Sequence, residues 1–451
     1  MRHTTLLGCW SSARLPTDLL PPAVSLAEAS RYWFQLGWIS FGGPAGQLAL
    51  MHQELVERRR WLSEARYLHA LNYCMVLPGP EAIQLATYLG WLMHGVPGGL
   101  IAGGLFLLPS VIVLIALSTL YVLWGQLPLL AAVFWALKPA VLAIVVQAAW
   151  RIGRRTLHTS ALALLAVLAF AAFSLLQWPY PLVVGLAALA GWWMGRWQPG
   201  WLDLREAEPI AADPTPSHAH FSPRQLALSL LLWGLALVVP LMVLGWINGW
   251  DGPLVAMARF FTQVALVTFG GAYAVLPYVA KAAVQHFHWL SATQMLDGLA
   301  LGETTPGPLV IVLAFVGFMG GWNNGVFGGP GHWWDAVVAT LVVVWFTFLP
   351  SFGFILAGAP LVEASRDNLQ FAAPLRAITA SVVGVIGSLV LFFAVPVLGP
   401  AGRLDPAMVV LLLLALWALL RWRWGVLPLI GAAALVGIGH LGLAELRLHL
   451  G

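Results

Sequence analysis

Long apolar runs constrain this chain more than any other feature of its sequence. Runs of roughly 18 or more residues, about enough to cross a hydrocarbon core ~30 Å thick, cover Leu100–Tyr121, Leu129–Trp150, Leu226–Ile247 and Ala336–Leu356. Charged residues make up only 9% of the sequence, against roughly 25% in soluble domains. The sequence therefore predicts an all-α polytopic membrane protein.

Charge and cysteine content argue against several classes of protein. The net charge of +4 is not a nucleic-acid signal, because Lys and Arg in a membrane protein mostly mark cytoplasmic loops. Cys9 and Cys74 support neither a disulfide framework nor a metal site. The sequence contains no P-loop, zinc-protease helix motif or convincing nucleophile elbow. We therefore expect no metal, cofactor or catalytic residue, and no ATP-driven transport by this chain alone.

Two copies of one pattern flank a proline-rich stretch, 198–223. Over 41–80 against 269–308, 13 of 40 positions are identical without a gap. The pairs at an offset of 228 are Phe41-Gly42-Gly43 with Phe269-Gly270-Gly271, Trp61-Leu62-Ser63 with Trp289-Leu290-Ser291, and Pro78-Gly79-Pro80 with Pro306-Gly307-Pro308. Leu108-Pro109-Ser110 matches Leu349-Pro350-Ser351 at an offset of 241. The chain is therefore predicted to be an internal duplication.

The predicted organisation follows from this duplication. It comprises an N-terminal cytoplasmic segment (1–24), a first transmembrane repeat (25–197), a cytoplasmic linker (198–223), a connecting transmembrane helix (224–250) and a second transmembrane repeat (251–451). We expect about 11 to 13 membrane segments, with broken hairpins that are re-entrant or fully spanning.

Loop charges predict that the two repeats lie in opposite orientations. Arg58-Arg59-Arg60 in the first repeat is matched by His286-Phe287-His288 in the second, whereas Arg376, Arg421 and Arg423 have mostly neutral counterparts in the first. Since basic loops stay in the cytoplasm, this predicts inverted-topology repeats, a common design of secondary transporters. We expect a multi-pass protein of the bacterial inner membrane, with a cytoplasmic N-terminus and a periplasmic C-terminus.

The Gly and Pro motifs predict helix breaks at membrane depth, at 41–44, 78–80, 269–271 and 306–308. Irregular backbone at that depth must line a cavity or be buried in protein. A half-helix that starts at a break has free amides and a partial positive charge, which suits an anion. The alternative interpretation is that these motifs are ordinary packing kinks.

Residues at and beside the breaks are the candidate substrate site. The substrate-binding candidates are Gly42, Gly43, Pro44, Gln47, Pro78, Gly79, Pro80, Gln84, Gly270, Gly271, Tyr273, Thr304, Thr305, Pro306, Gly307, Pro308 and Lys138. Lys138 is a lone cation in an apolar run, and it either neutralises the anion or extends its charge to the interface. Glu81 and Glu303 are candidates for proton coupling, because intramembrane acids are costly and usually functional. Their alternative role is in a helix-end or interface pair.

These motifs carry a family resemblance that covers almost the whole chain outside the linker. The stretches Phe41 to Gln47, Glu54 to Glu57, Trp61 to Ser63 and Leu77 to Ala82, with their second-half copies, resemble the chromate ion transporter (CHR) family in its long two-domain form. The resemblance implies secondary transport that exports chromate from the cytoplasm, driven by the proton motive force. It also implies sulfate as the physiological look-alike.

Several alternatives stay open at this point. Pro44 is replaced by Ala272 and Glu81 by Leu309 in the second repeat, so the substrate contacts are expected to be asymmetric. The substrate is a chromate- or sulfate-like oxyanion, or another small anion. An intramembrane enzyme is a weaker alternative because no nucleophile–base set is found, and a scaffold would not need four breaks. The sequence leaves the oligomeric state open, with a homodimer as one alternative.

Overall fold

The computed structural model describes residues 24–41, 43–202, 222–364, 372–399 and 403–450. Within these ranges the chain forms sixteen α-helices and no β-strand, which confirms the all-α prediction. Most of the predicted N-terminal segment (1–24) and of the predicted linker (198–223) lies outside the described residues, as does Gly42.

Seven helices form the first half of the molecule, and an eighth leads to the second. They are α1 (Leu26–Ile39), α2 (Gly43–His52), α3 (Glu64–Val76), α4 (Glu81–Trp124), α5 (Pro128–Thr156), α6 (Ser160–Ser174), α7 (Tyr180–Trp197) and α8 (Pro223–Asn248). A long helix such as α4 does not run straight throughout. It contains a non-helical hinge at His94 and Gly95, where Gly95 has a φ of 65°.

Eight helices form the second half. They are α9 (Pro253–Val267), α10 (Ala272–Lys281), α11 (Ala292–Thr304), α12 (Val312–Asn324), α13 (Trp333–Ala364), α14 (Ala372–Leu398), α15 (Pro406–Arg421) and α16 (Val426–Leu450). In chain order α9, α10 and α11 correspond to α1, α2 and α3. The pair α12 and α13 corresponds to the two parts of the hinged α4, so the 13-residue change of offset falls in the connection between them.

Irregular backbone recurs in the same register in both halves. A π-helical turn follows α2 at Gln53–Arg58, and another follows α10 at Ala282–His286. Two residues later, Arg60 and His288 have positive φ values of 54° and 52°, and they are 228 positions apart. The shared sequence motifs therefore coincide with shared backbone features.

The repeated Trp-Leu-Ser motif ends in a helix cap. The Ser63 side chain accepts from the backbone N–H of Arg66 at the start of α3. Ser291 accepts from the N–H of Gln294 at the start of α11, and the Gln294 side chain accepts from the N–H of Ser291 in return. Such caps satisfy amides that have no helical partner, so both halves begin their second hairpin in the same way.

Six helices within the described residues are long and apolar enough to span a membrane: α4, α5, α8, α13, α14 and α16. Four shorter apolar helices accompany them: α6, α9, α12 and α15. The spanning window of α8 has no buried residue, so its apolar side chains face outward, as lipid contact requires. These features confirm a multi-pass membrane protein, while the count of 11 to 13 segments stays a prediction.

The two halves interlock rather than lie side by side. Helices α6 and α7 of the first half pack against α14 of the second, and reciprocally α15 and α16 pack against α5. At the centre α4 crosses α13, where Gly99 and Gly103 contact Leu356 and Phe352. A Gly-x-x-x-Gly pair permits such close approach in membranes. This crossing places the helix breaks of both halves in one region.

Candidate functional site

Helical structure stops at each of the four predicted places. The interruptions separate α1 from α2, α3 from α4, α9 from α10, and α11 from a short 3-10 turn (Leu309–Ile311) that precedes α12. Gly43 and Pro44 open α2, and Gly271 is the residue before α10. The four motifs are therefore true breaks rather than kinks within continuous helices.

Two reciprocal hydrogen bonds join the breaks of opposite halves. The N–H of Gly79 donates to the carbonyl of Thr268 at 2.6 Å, and the N–H of Gly307 donates to the carbonyl of Ser40 at 2.7 Å. Gly79 and Gly307 are 228 positions apart, as are Ser40 and Thr268. Each Pro-Gly-Pro segment is thus bonded to the Phe-Gly-Gly region of the other half. We call the described residues around these two bonds the break cluster: 40, 41, 43, 77–81, 268–271 and 304–308.

Gly79 and Gly307 are two break-cluster positions where the backbone conformation favours glycine. Their φ values are 132° and 93°, in a region that residues with a Cβ rarely adopt. A Cβ on Gly79 would also collide with the hydroxyl of Ser351, and one on Gly307 with the hydroxyl of Ser110. Each glycine therefore lies against a serine from the opposite half.

Two buried glutamines support the Pro-Gly-Pro segments from the first half. Gln47 donates from Nε2 to the carbonyl of Gly307, and Gln84 donates from Nε2 to the carbonyl of Pro78 at 2.7 Å. Both side chains are fully buried, and both Oε1 atoms are without a hydrogen-bond partner. Their repeat counterparts are Val275 and Val312, so this part of the site is asymmetric.

The two candidate proton-coupling acids both lie at second-half breaks. Tyr273 donates its phenolic proton to Glu303 Oε1 at 2.5 Å, and the charge of Arg151 on α5 acts on this pair. Glu81 comes from the first half, but its Oε1 lies 3.9 Å from the position of a Cβ on Gly271. Glu303 thus has a hydrogen-bonded partner, whereas Glu81 faces the break before α10.

Other predicted donors already make bonds within the protein. The hydroxyl of Thr304 donates to the Leu301 carbonyl and that of Thr305 to the Gly302 carbonyl, both at 2.8 Å. The phenol of Tyr273 is bound to Glu303. In this conformation these three side chains hold the end of α11 rather than present free protons. Pro80, Pro306 and Pro308 are buried, whereas Pro78 is half-buried and Gly270 lies against Thr379 of α14.

Lys138 on α5 is half-buried, and its charge acts on Asp297 of α11. Asp297 is buried, and its Oδ2 accepts a hydrogen bond from the Tyr121 phenol at 2.9 Å. Lys138 therefore belongs to an intramembrane charge cluster with Asp297 and Tyr121. Its acid, Asp297, lies on α11, the helix that ends at Thr304 beside the break cluster.

Comparison with known proteins assigns the family. The family model described as chromate transporter matches residues 27–192 and 255–438. The chain belongs to the chromate transporter family. Members of this family are transporters, so the chain is a transporter rather than an enzyme.

Three relatives illustrate the similarity across the chromate transporter family. The chromate transport protein of Cupriavidus metallidurans is 29% identical over 419 residues, which cover 92% of this chain and 94% of that protein. The probable chromate transport protein of Synechococcus elongatus is 31% identical, with 90% and 92% covered. The chromate transport protein of Pseudomonas aeruginosa is 32% identical, with 82% of each covered. No solved structure matches this chain.

Sequence reasoning missed four residues that the fold brings to this region. Asp297 and Tyr121 lie in apolar helices, and the available signal was the lone acid that follows the second Trp-Leu-Ser motif. Ser110 and Ser351 end the repeated Leu-Pro-Ser motif, which served only as a marker of the repeat. A serine that recurs at the same place in both halves was the signal that could have marked these residues as part of a site.

The break cluster lies away from two surface depressions of the molecule. These open depressions, one beside Trp135 and His440 and the other beside Gln285 and Thr293, contain none of its residues. Among the described residues, no group of three His, Cys, Asp or Glu side chains is placed to hold a metal ion.

Proposed function

We propose that this protein exports chromate from the cytoplasm across the bacterial inner membrane, and that it accepts sulfate as a look-alike oxyanion. The family and the chromate transport proteins that resemble it along most of their length support this proposal. The observation that carries it is the pair of reciprocal hydrogen bonds between Gly79 and Thr268 and between Gly307 and Ser40. These bonds gather four helix breaks from two repeats at one place.

Breaks of this kind suit a small dianion. A half-helix beginning in the membrane presents backbone N–H groups and a partial positive charge. Several such ends hold an oxyanion without a buried arginine at the centre. Lys138 on α5 adds one positive charge at some distance from the breaks, and Asp297 on α11 balances it when no substrate is bound.

Alternating access follows from the reciprocal bonding. The substrate and the opposite half compete for the same backbone around Gly79 and Gly307. Breaking one of the two reciprocal hydrogen bonds opens the break cluster toward one side of the membrane, and breaking the other opens it toward the opposite side. Inverted repeats that rock against each other around a fixed site work in this way. The proposal includes the inverted orientation, with the N-terminus in the cytoplasm and the C-terminus in the periplasm.

Energy coupling to the proton motive force is assigned to Glu81 and Glu303. A carboxylate deep in the membrane is costly as an anion and is usually functional. As an anion, Glu303 accepts the hydrogen bond of the Tyr273 phenol. When it takes up a proton, the carboxyl group carries that proton itself and no longer depends on this bond. Glu81 lies against the break before α10, so its charge state acts directly on the substrate region.

Inverted membrane vesicles test this function directly. We expect labelled chromate to accumulate when an inside-acid proton gradient is imposed, and accumulation to stop when a protonophore is added. Labelled sulfate should compete with chromate for uptake. Sulfate uptake without chromate uptake would retain the transporter and change its substrate, and no flux of either anion would contradict the proposal. A homodimer remains a separate prediction, tested by the mass of the purified protein in detergent.

A further inference from the structure

Two serine hydroxyls at the break cluster have no hydrogen-bond partner although they are buried. Ser110 on α4 follows Pro109, and Ser351 on α13 follows Pro350. Their exposed fractions are 0% and 1%. Neither Oγ has a partner within the protein. Buried hydroxyls are normally bonded, so an unpaired one points to a group that binds there.

Some buried hydroxyls on α13 and α14 show the usual behaviour of Ser and Thr in a membrane helix, whereas Thr87 and Ser118 on α4 and Thr347 on α13 have no hydrogen-bond partner. Thr340 on α13 donates to the Ala336 carbonyl at 2.8 Å, and Ser381 and Ser388 on α14 donate to carbonyls three residues earlier at 2.7 and 2.6 Å. Such back-bonding satisfies a hydroxyl without any outside partner. Among the unpartnered hydroxyls, Ser110 and Ser351 are distinguished because they occupy equivalent places in the two halves and each faces a Pro-Gly-Pro glycine.

The two serines are placed reciprocally against the Pro-Gly-Pro segments. Ser110 of the first half lies against Gly307 of the second, and Ser351 of the second lies against Gly79 of the first. These are the same two glycines whose amides bridge the halves. The two serine–glycine contacts are therefore related by the same approximate two-fold symmetry as the two reciprocal hydrogen bonds.

The crossing of α4 and α13 gives an approximate separation of the two serines along the helix axis. Gly103 contacts Phe352 and Gly99 contacts Leu356, so the helices cross in opposite directions. Continuing that register places Ser110 level with Trp345, six residues before Ser351 in the chain. At 1.5 Å per residue this is roughly 9 Å along the helix axis. A small oxyanion that accepts an O–H···O bond of about 2.7 Å on each side spans a distance of this order.

We propose that Ser110 and Ser351 are paired hydrogen-bond donors that bind two oxygens of one tetrahedral oxyanion between the Pro-Gly-Pro segments. This proposal rests on the proposed transport of oxyanions and names the side chains that recognise them. A tetrahedral oxyanion has two-fold axes, so it presents equivalent oxygens to two donors related by the repeat. Neutral hydroxyls also release a dianion more readily than buried cations do, which a transporter needs.

Alanine substitutions test this pair in the full-length protein. Ser110→Ala and Ser351→Ala each remove one charge-assisted hydrogen bond, and we expect the KM for chromate uptake into inverted vesicles to rise roughly ten-fold or more in each. Ser118→Ala is the matched control, because Ser118 lies on the same helix, is 1% exposed and has an unpartnered hydroxyl, but it is not one of the serines at a Pro-Gly-Pro glycine. Its KM should stay unchanged.

Thermal unfolding of the purified protein provides a second readout that does not depend on flux. A ligand that binds the native state raises Tm, so sulfate should raise the Tm of the wild type and of Ser118→Ala. It should leave the Tm of the double variant Ser110→Ala/Ser351→Ala nearly unchanged at the same concentration. An equal sulfate-induced shift in the double variant, or unaltered KM values in both single variants beside an active wild type, would overturn the serine assignment. An inactive wild type would instead overturn the proposed function.

Discussion

At the scale of single residues, Gln47 carries a hydrogen bond that connects the two halves. Its amide donates to the Gly307 carbonyl from a fully buried position. We expect Gln47→Leu to leave that carbonyl unpaired and to lower the free energy of unfolding by about 1–3 kcal/mol. Gln263→Leu, at an exposed position on α9, should change it by less than about 0.5 kcal/mol. Chemical unfolding in detergent measures both, and equal effects would argue against a bridging role for Gln47.

The charges of Lys138 and Asp297 are expected to be coupled. Lys138→Met leaves the acid of Asp297 without its nearby cation, and Asp297→Asn does the reverse. We predict that the double variant is less destabilised than the sum of the two single variants, with a coupling of the order of 1 kcal/mol. Unfolding of all four proteins under one condition gives this value. Additive effects would mean that the two charges do not interact.

The sequence predicted where the breaks lie but not which contacts the side chains beside them make, for a physical reason. Gly79 and Gly307 were predicted to lie at breaks because Pro and Gly interrupt a helix, and Gln47 was predicted to lie beside one, whereas their substrate contacts stay a prediction. The partners of Thr304 and Thr305 were not predictable, since a hydroxyl can turn either toward a substrate or toward its own helix. Ser110 was missed because its contact with Gly307 joins residues almost 200 positions apart.

At the scale of helices, the Ser291 cap controls the start of α11. Its hydroxyl accepts from the Gln294 amide, and Gln294 completes the reciprocal bond. Ser291→Ala should destabilise the first turn of α11 by about 1 kcal/mol and speed hydrogen–deuterium exchange there roughly five-fold. Ser229→Ala, inside α8, should leave α11 exchange unchanged. Slow exchange retained in Ser291→Ala would show that packing alone fixes this helix end.

The breaks between helices were predictable from the sequence, whereas the hinge in α4 was not. Each break coincides with Pro or Gly in a motif that occurs twice, so local chemistry and the repeat gave the same answer. Only a single glycine marks the hinge at His94 and Gly95 in the sequence. The residues around it are not repeated in the second half. Its counterpart in the second half is the longer connection between α12 and α13.

At the scale of the whole molecule, interlocking of the halves predicts mutual dependence. Helices α6 and α7 pack on α14, and α15 and α16 pack on α5, so each half alone exposes surfaces made for the other. We expect the two halves, expressed as separate chains divided at residue 212, to accumulate and to co-purify only when produced together. Stable accumulation of either half alone would contradict this dependence.

The repeat itself was predicted from fixed offsets, but the exchange of helices between the halves was not. Offsets report which segments are equivalent, whereas packing between α6 and α14 depends on surfaces separated by about 200 residues of chain. The opposite membrane orientation of the halves stays a prediction from loop charge. Reactivity of single cysteines introduced at Arg58 and Arg421 with a membrane-impermeant reagent measures it: both should react only from the cytoplasmic side.

The most direct test of the central claim is chromate uptake into inverted vesicles by the reciprocal variants Gly79→Ala and Gly307→Ala. A methyl group at either position strains a positive-φ backbone and collides with a serine of the opposite half. Gly104→Ala on α4 is the control, because a Cβ there has no atom within 4 Å. At equal expression we predict that both reciprocal variants lose at least ten-fold in flux and that Gly104→Ala retains it. Full flux in both reciprocal variants would contradict a transport site built from the breaks of both halves.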